Sequence, residues 1–155
     1  MARIQPSFEA FFGDVEPRLR HALVARYGPS TGRAVTVDAL SYAWEHWDRL
    51  SSMDNPVGYL YRVGQSASRR YGGADATGAD QMIDGIHIDE YTATELAPAL
   101  AALSDKQRVT VVLVHGLGWT HSETADLLAV STSTVQTHIE RALAALRRTL
   151  EVSDV

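Results

Sequence analysis

Residues 124–148 read TADLLAVSTSTVQTHIERALAALRR, and this segment decides the fold. Apolar residues recur at helical spacing on both sides of a short break, which predicts two helices joined by a tight turn. Ser131 can cap the second helix, and Val135 and Ile139 are placed to pack it back onto the first. Ala125 stands where the two helices have to cross closely. This spacing is typical of a helix-turn-helix, the unit that places a helix in the major groove of DNA.

The second helix of this unit turns polar side chains away from its packing face. Hydroxyl groups and N-terminal amides bind phosphate, Gln can pair with adenine, and Arg can pair with guanine. A protonated His138 would add a phosphate contact below about pH 6.5. On the motif alone, a surface helix of an ordinary bundle stays the alternative. The predicted DNA-contacting residues here are Thr132, Ser133, Thr134, Gln136, Thr137, His138 and Arg141.

The charge of the chain is concentrated in its middle. The 155 residues carry a formal net charge of −5, and six carboxylates without any Lys or Arg lie in residues 71–102. Both flanking blocks are mildly basic. The middle is rich in Gly, Ala and Asp and shows no periodicity, which indicates a flexible, acidic connector. We therefore predict domains at 7–70 and 100–150, joined by an acidic linker at 71–99.

The N-terminal half predicts three helices. The first runs from about Ser7 to Tyr27, with Pro17 expected to kink it. A turn is predicted at residues 27–33, YGPSTGR, after which Thr36 caps the second helix. The apolar stripe predicted for that second helix is Val37, Leu40, Trp44 and Trp47. The dipeptide Asn55-Pro56 starts the third helix, which ends near Arg70.

The C-terminal half predicts further helices from Glu95 onward. Capping boxes are predicted at residues 104–107 and 120–123, and Gly116 is a natural stop between them. No segment of the chain alternates convincingly as a strand. The predicted fold class is therefore all-α, with two small helical domains.

The sequence offers nothing that points to an enzyme. It contains no Cys, which excludes disulfides and thiolate metal sites. The six His share no metal-ligand spacing, and no phosphate-binding loop or nucleophile elbow is present. There is no apolar run of about eighteen residues and no secretion signal. These features predict a cytoplasmic protein without membrane association, metal or other cofactor.

The C-terminal half resembles region 4 of the extracytoplasmic-function (ECF) sigma factors of bacterial RNA polymerase. LuxR-type response regulators share part of the same pattern. The matching residues are Leu103, Gln107-Arg108, Gly118, Ser131, Thr134-Val135, Arg141-Ala142 and Leu146-Arg147.

The N-terminal half resembles region 2 of the same family. Ala43-Trp44 precedes a short loop, and NPVGYLYR at 55–62 is similar to the family's Asn-Pro-x-x-Trp-Leu-Tyr-Arg. A response-regulator reader is disfavoured, because its N-terminal half would alternate strands and helices. The resemblance implies that the chain binds the β′ clamp of core RNA polymerase and reads promoter DNA at the −10 and −35 elements. It also allows an anti-sigma factor or another regulatory protein as a partner.

The resemblance assigns roles to two further groups of residues. Polymerase-binding residues would be Asp38, Leu40, Trp44 and Trp47. Contacts to the −10 DNA would be Tyr59, Tyr61, Arg62, Arg69 and Arg70. Each group has an alternative interpretation. The tryptophans could pack in the core, one tyrosine could be buried, and the last two arginines could form an ordinary cationic helix end.

Three positions depart from the family pattern. Residues 34–38 keep only one carboxylate of the usual docking stretch, Gln136 stands in place of a Lys, and His138 in place of an Arg. Fewer cationic contacts weaken DNA binding and its salt dependence. These departures motivate a second hypothesis, a sigma-like interaction protein that has lost initiation activity and binds another protein.

Overall fold

Helices account for the regular structure in the residues that this computed structural model describes, 7–71 and 90–153. The all-α prediction is confirmed. The N-terminal half contains α1 (Phe8–Tyr27), α2 (Pro29–Glu45), the short α3 (Trp47–Leu50) and α4 (Pro56–Ala67), followed by a 3₁₀ turn at Ser68–Tyr71. The C-terminal half contains α5 (Glu90–Ala101), α6 (Asp105–Val111), a π turn at Val112–Gly116, α7 (His121–Leu128) and α8 (Thr132–Ser153).

Local capping explains where several of these helices begin. The Thr120 side chain accepts a hydrogen bond from the Glu123 amide at 3.0 Å, and the Glu123 carboxylate accepts from the Thr120 amide at 3.2 Å. This pair is the predicted capping box of α7. At α4 and α6 the cap is a single hydrogen bond: the Asn55 side chain accepts from the Gly58 amide, and the Ser104 hydroxyl accepts from the Gln107 amide. The predicted starts at these positions are confirmed.

The turn predicted at residues 27–33 is wrong. Gly28 alone separates α1 from α2, because its positive φ of 88° reverses the chain within one residue. Pro29 then occupies the first helical position, where it suits helix initiation. Thr36 consequently lies inside α2 and donates its hydroxyl to the Gly32 carbonyl at 2.7 Å, rather than capping the helix.

The apolar stripe predicted for α2 is also wrong at two of its positions, because the helix is rotated. Val37 is 63% exposed and Trp44 is 66% exposed. The face that packs against α1 instead carries small residues at helical spacing, which let the two helix backbones approach closely. A Cβ at Gly32 would come within 2.5 Å of the Val24 Cα. The buried residues of α2 include Gly32, Val35, Thr36, Ala39, Leu40 and Ala43.

The helix-turn-helix forms as predicted. Ala125, Val135 and Ile139 are buried together where α7 crosses α8. The turn contains Ala129 in the left-handed conformation, with φ 56° and ψ 46°. Helix α5 begins at Glu90, five residues before the predicted start at Glu95. The flexible connector was predicted at residues 71–99, of which 72–89 lie outside the described residues and 90–99 belong to α5. The domain boundaries stay a prediction.

One apolar core runs through both halves of the molecule. It joins buried residues of α1 and α4, such as Leu19 and Leu60, to buried residues of the C-terminal half, such as Leu113 and Leu127. Helix α1 runs through Pro17 as one element. Within the described ranges, no helix is both long and apolar enough to cross a bilayer.

Candidate nucleic-acid interface

The N-terminus of α8 presents a cluster of exposed hydroxyl groups. The Ser131 hydroxyl accepts a hydrogen bond from the Thr134 amide at 3.1 Å, which is the predicted cap of this helix. It also lies 2.9 Å from the Ser133 hydroxyl and 2.8 Å from that of Thr134. Thr132 is exposed beside them. Hydroxyls and free amides at a helix N-terminus form a site suited to a DNA phosphate.

Further along α8, three of the predicted reading residues are exposed on the same helix. The Gln136 amide donates to the Glu140 carboxylate at 3.1 Å, so an acidic group lies within the predicted DNA face. Thr137 donates its hydroxyl to the Ser133 carbonyl at 3.1 Å and keeps its lone pairs free to accept. Arg141 is exposed one turn beyond Thr137. Glu140 was not singled out from the sequence, although its i, i+4 spacing to Gln136 signals the pair.

His138 is placed differently from its neighbours. Its side chain is half-buried and lines a cavity of about 100 Å³ together with Arg26, Tyr61 and Lys106. Burial lowers the pKa of His138, and the charges of Lys106 and Arg141 lower it further. Protonation of this imidazole therefore requires a more acidic solution than its usual pKa indicates. In this arrangement His138 faces the N-terminal half, and its role as a DNA contact stays a prediction.

Tyr59 forms an aromatic platform on α4. Its hydroxyl lies 3.1 Å from that of Tyr42, and the Arg49 guanidinium lies 5.6 Å from the centre of its ring. Tyr42 in turn packs against the His46 ring at 4.3 Å. A half-exposed ring with one cation beside it can stack on an unpaired base. The sequence indicated Tyr59 but not the supporting residues on α2 and α3.

The remaining residues predicted to contact −10 DNA divide into two groups. Arg62, Arg69 and Arg70 are exposed at α4 and the following turn, where they are free to approach phosphate. Tyr61 is only 4% exposed, and burial raises its pKa to about 12. The sequence left open that one of the two tyrosines is buried, and in the structure that tyrosine is Tyr61. Its role as a DNA contact stays a prediction.

An apolar groove lies between α1 and α2. This α1–α2 groove has a volume of about 660 Å³. Its floor and walls include Phe8, Phe12, Val37, Leu40 and Trp44, and the Phe8 and Trp44 rings meet edge to face at 5.0 Å. The groove is rimmed by charged residues of both signs, Glu16, Arg20, Arg33 and Glu45.

The four residues predicted to bind polymerase do not share one surface. Trp44 is exposed in the groove and Leu40 is buried at its base. Trp47 packs against Phe11 with ring centres 4.8 Å apart. Asp38 accepts a hydrogen bond from the Tyr71 hydroxyl at 2.8 Å and lines a different depression. Sequence reasoning missed Phe12 as an exposed residue of the groove and missed the exposure of Val37.

Metal binding finds no support in the described part of the chain. No group of three or more His, Asp or Glu there could hold a metal ion.

Comparisons with known proteins agree on one family. The family model described as sigma-70, region 4 matches residues 94–146. The curated relatives include the ECF RNA polymerase sigma factor SigK of Mycobacterium tuberculosis and of Mycobacterium bovis. Each is 26% identical over 167 residues, covering 96% of this chain and 88% of the relative. The C-terminal part of the chain thus matches sigma-70 region 4, and the chain as a whole is similar to ECF sigma factors.

Solved structures of ECF sigma factors share this fold. The sigma factor RpoE in complex with the anti-sigma factor NepR, from Bartonella quintana, is similar with a TM-score of 0.62 and 22% identity. The alignment covers 94% of this chain and 97% of RpoE. CnrH in complex with the cytosolic domain of CnrY gives a TM-score of 0.61 and 21% identity, covering 94% of this chain and 88% of CnrH.

Proposed function

We propose that this chain is a transcription initiation factor that binds core RNA polymerase and directs it to promoters. The observation that carries the proposal is the complete helix-turn-helix with an exposed polar face on α8, within a chain matched along 96% of its length by a sigma factor. Such a factor catalyses no reaction itself and acts in the cytoplasm, where polymerase works.

The α1–α2 groove is the proposed docking site for polymerase. A folded protein rarely leaves several large apolar side chains exposed together unless a partner covers them. Phe12, Val37 and Trp44 are among the few large apolar residues exposed in the described part of the chain. The mixed charges at the rim suit a helical protein surface better than they suit DNA, which would require cations alone.

The DNA-binding surfaces are proposed at two other places. On α8, the exposed hydroxyls, Gln136 and Arg141 would read the −35 element in the major groove. On α4, the Tyr59 platform would stack on an unpaired −10 base while Arg62, Arg69 and Arg70 hold the phosphates. These assignments rest on exposure and residue chemistry.

The second hypothesis was a sigma-like interaction protein without initiation activity. It is not favoured, because the curated relatives carry the name of sigma factors. The two solved relatives were captured with anti-sigma proteins. An anti-sigma or other regulatory protein therefore stays a proposed additional partner of this chain.

Introducing a charge into the groove tests polymerase docking. Val37→Asp places a carboxylate at an exposed position of the groove, where docking would bury it without a partner. We expect binding to core polymerase to weaken at least about tenfold, with a parallel loss of transcription from a promoter pool in vitro.

Ala144→Asp is the matched control, because it adds the same charge at an exposed position of α8 outside the groove. We expect this control to bind core polymerase as the original chain does. Equal binding by both variants would remove the groove from the proposal. If the unaltered chain does not bind polymerase at all, the second hypothesis, an interaction protein without initiation activity, is favoured instead.

A further inference from the structure

The outward face of α2 carries a row of exposed residues whose charge changes sign along the helix. The row contains Arg33, Val37, Ser41 and Trp44, which recur every three or four residues and therefore lie on one side of the helix. Arg33 is at the N-terminal end of this row, and Glu45 is exposed at its C-terminal end. The row is thus basic at one end, largely apolar in the middle and acidic at the other end.

The residues around this row strengthen the same pattern. Across the α1–α2 groove, Phe12 is 43% exposed and extends the apolar middle. The Arg20 guanidinium is paired with Glu16 of its own helix at 2.8 Å, so α1 adds little net charge at the rim. Beyond Trp44, Asp48 of α3 is exposed and adds a second carboxylate to the acidic end.

Arg49 follows Asp48 but does not cancel the acidic end of the row. Its guanidinium lies 5.6 Å from the centre of the Tyr59 ring, so it is directed at α4. The α2 row therefore keeps one end positive and the other end negative.

A face of this kind is complementary to a second copy of itself in antiparallel orientation. In a two-fold symmetric contact, each copy contributes the same residues. With the two-fold axis at Ser41, Val37 lies four residues before the axis and Trp44 lies three residues after it, so the two side chains meet across the contact. Arg33 then faces the acidic end of the second copy. The small side chain of Ser41 lets the two helices approach at the axis.

The charges favour a second copy of this chain over other occupants of the face. Nucleic acid requires cations along its contact surface, and Glu45 and Asp48 would repel its phosphates. An unrelated protein would need a matching pattern of its own, whereas a second copy supplies an acidic end for each Arg33 by symmetry. The guanidinium of Arg33 can also lie over the Trp44 ring of the second copy, an arrangement that attracts a cation to the ring face.

The size of the face predicts a weak contact between the copies. The row extends over roughly 22 Å of helix, and two helices side by side are about 20 Å wide, so each copy buries on the order of 450 Å². Stable complexes bury about 800 Å² on each partner, and smaller interfaces are typical of transient association. The dimer therefore exchanges with monomer, and a partner with a larger contact surface can displace the second copy.

We propose that the outward face of α2, together with the α1–α2 groove, is a two-fold dimer interface for a second copy of this chain. Arg33 of each copy faces Glu45 and Asp48 of the other. The dimer covers Val37 and Trp44, which line the groove proposed to dock polymerase, so the dimer is a form that cannot dock. Only this consequence rests on the proposed function, since the dimer itself is measurable without polymerase.

Charge reversal at either end of the row tests the interface. In Arg33→Glu, and separately in Glu45→Arg combined with Asp48→Arg, like charges face each other across the two-fold axis. We expect the dimer dissociation constant, measured by sedimentation equilibrium, to rise at least about tenfold in each variant. Arg148→Glu is the matched control, because it reverses one exposed arginine on α8 outside the face. This control should dimerise as the original chain does.

Mixing the two reversed variants identifies the antiparallel arrangement. In a dimer of one Arg33→Glu chain and one chain with both arginines, each of the two contacts again pairs opposite charges. The mixture should therefore associate although neither variant does so alone, and this recovery also shows that both variants are folded. Failure of the mixture to associate would overturn the proposed arrangement.

A single introduced thiol tests the position of the axis. The chain contains no Cys, so Ser41→Cys can form a disulfide only with a second copy. A disulfide requires the two Cα atoms to lie within about 7 Å, which the axis at this residue provides. We expect oxidised glutathione to convert Ser41→Cys into a covalent dimer. Ala144→Cys, at an exposed position of α8, is the control and should remain largely monomeric.

The covalent dimer also tests whether dimerisation blocks docking. It should fail to bind core polymerase, and reduction of the disulfide should restore binding. Polymerase binding by the covalent dimer would overturn the blocking role. A chain that stays monomeric at every concentration would overturn the whole inference and leave the proposed function untouched. Absence of polymerase binding by the unaltered monomer would count against the proposed function alone.

Discussion

Glu140 holds the Gln136 amide at 3.1 Å and places a carboxylate on the helix face proposed to enter the major groove. A carboxylate there repels DNA phosphates and occupies an amide that could read adenine. Gln136 and His138 also stand where the sigma factors that the sequence resembles have basic residues. A reader with this composition should bind DNA weakly, and Glu140 is the residue at which that weakness can be measured directly.

Glu140→Gln should strengthen DNA binding. Removing one repulsive charge at an exposed site is worth about 0.5–1 kcal/mol, or roughly a two- to fivefold gain in affinity. Fluorescence anisotropy with a selected promoter duplex across a salt series measures it. The gain should shrink as salt increases, because the effect is electrostatic. Glu151→Gln, at an exposed residue near the end of α8, is the control, and equal gains in both variants would contradict a specific role for Glu140.

His138 makes the packing of the two halves depend on pH, because it lines the cavity between them. Burial first, and then the charges of Lys106 and Arg141, lower its pKa in the folded chain below the usual value of 6.5. The unfolded chain binds that proton more readily, so acid destabilises the folded state. This contribution to stability is fully present above about pH 6.5 and is lost as the pH falls below it.

The free energy of unfolding should therefore be lower at pH 5.5 than at pH 7.5, as measured by urea denaturation. His21, whose pKa is also lowered by burial, adds an acid response of its own within α1. The informative quantity is thus the difference between the original chain and His138→Gln, which should lose less stability in acid. Identical pH profiles for the two proteins would exclude His138 as the responsible group.

At the scale of single elements, the turn of the helix-turn-helix carries measurable strain. Ala129 has φ 56°, a left-handed conformation that costs a residue with a Cβ about 1 kcal/mol relative to glycine. Ala129→Gly should raise the free energy of unfolding by about that amount in urea denaturation. Gly118→Ala is the opposite test. Gly118 has a φ of 76°, and a Cβ there would meet nothing within 4 Å, so the substitution would add only backbone strain. It should lower stability, and equal signs for the two changes would refute the explanation.

Elements whose limits depend on neighbouring residues could be predicted from the sequence. The Thr120 capping box, the Asn55 cap and the Ser131 cap each need only residues within three positions. The buried face of α2 could not be predicted this way, because α1 selects it. Large residues suggested one stripe, but close packing on α1 requires the small side chains at Gly32 and its helical neighbours.

At the scale of the whole molecule, the order and type of the two halves followed from sequence, whereas their mutual packing did not. Tyr61 and His138 were predicted as DNA contacts from motif position, and both lie in the cavity between the halves. The Asn55 amide donates to the Asp126 carbonyl at 2.6 Å, and no local pattern in the sequence predicts this contact between the two halves. The signal that could have suggested it was Gly58, a glycine in the first turns of a helix without a local reason for it.

The buried guanidinium of Arg108 makes completion of the N-terminal half depend on a residue that the ribosome adds more than eighty positions after Ala25. While the chain is being synthesised, the last turn of α1 lacks that cap, and the groove between α1 and α2 is already encoded upstream. A chain that ends before residue 108 should therefore leave the last turn of α1 without this partner, and its N-terminal half should be less stable than in the full-length chain.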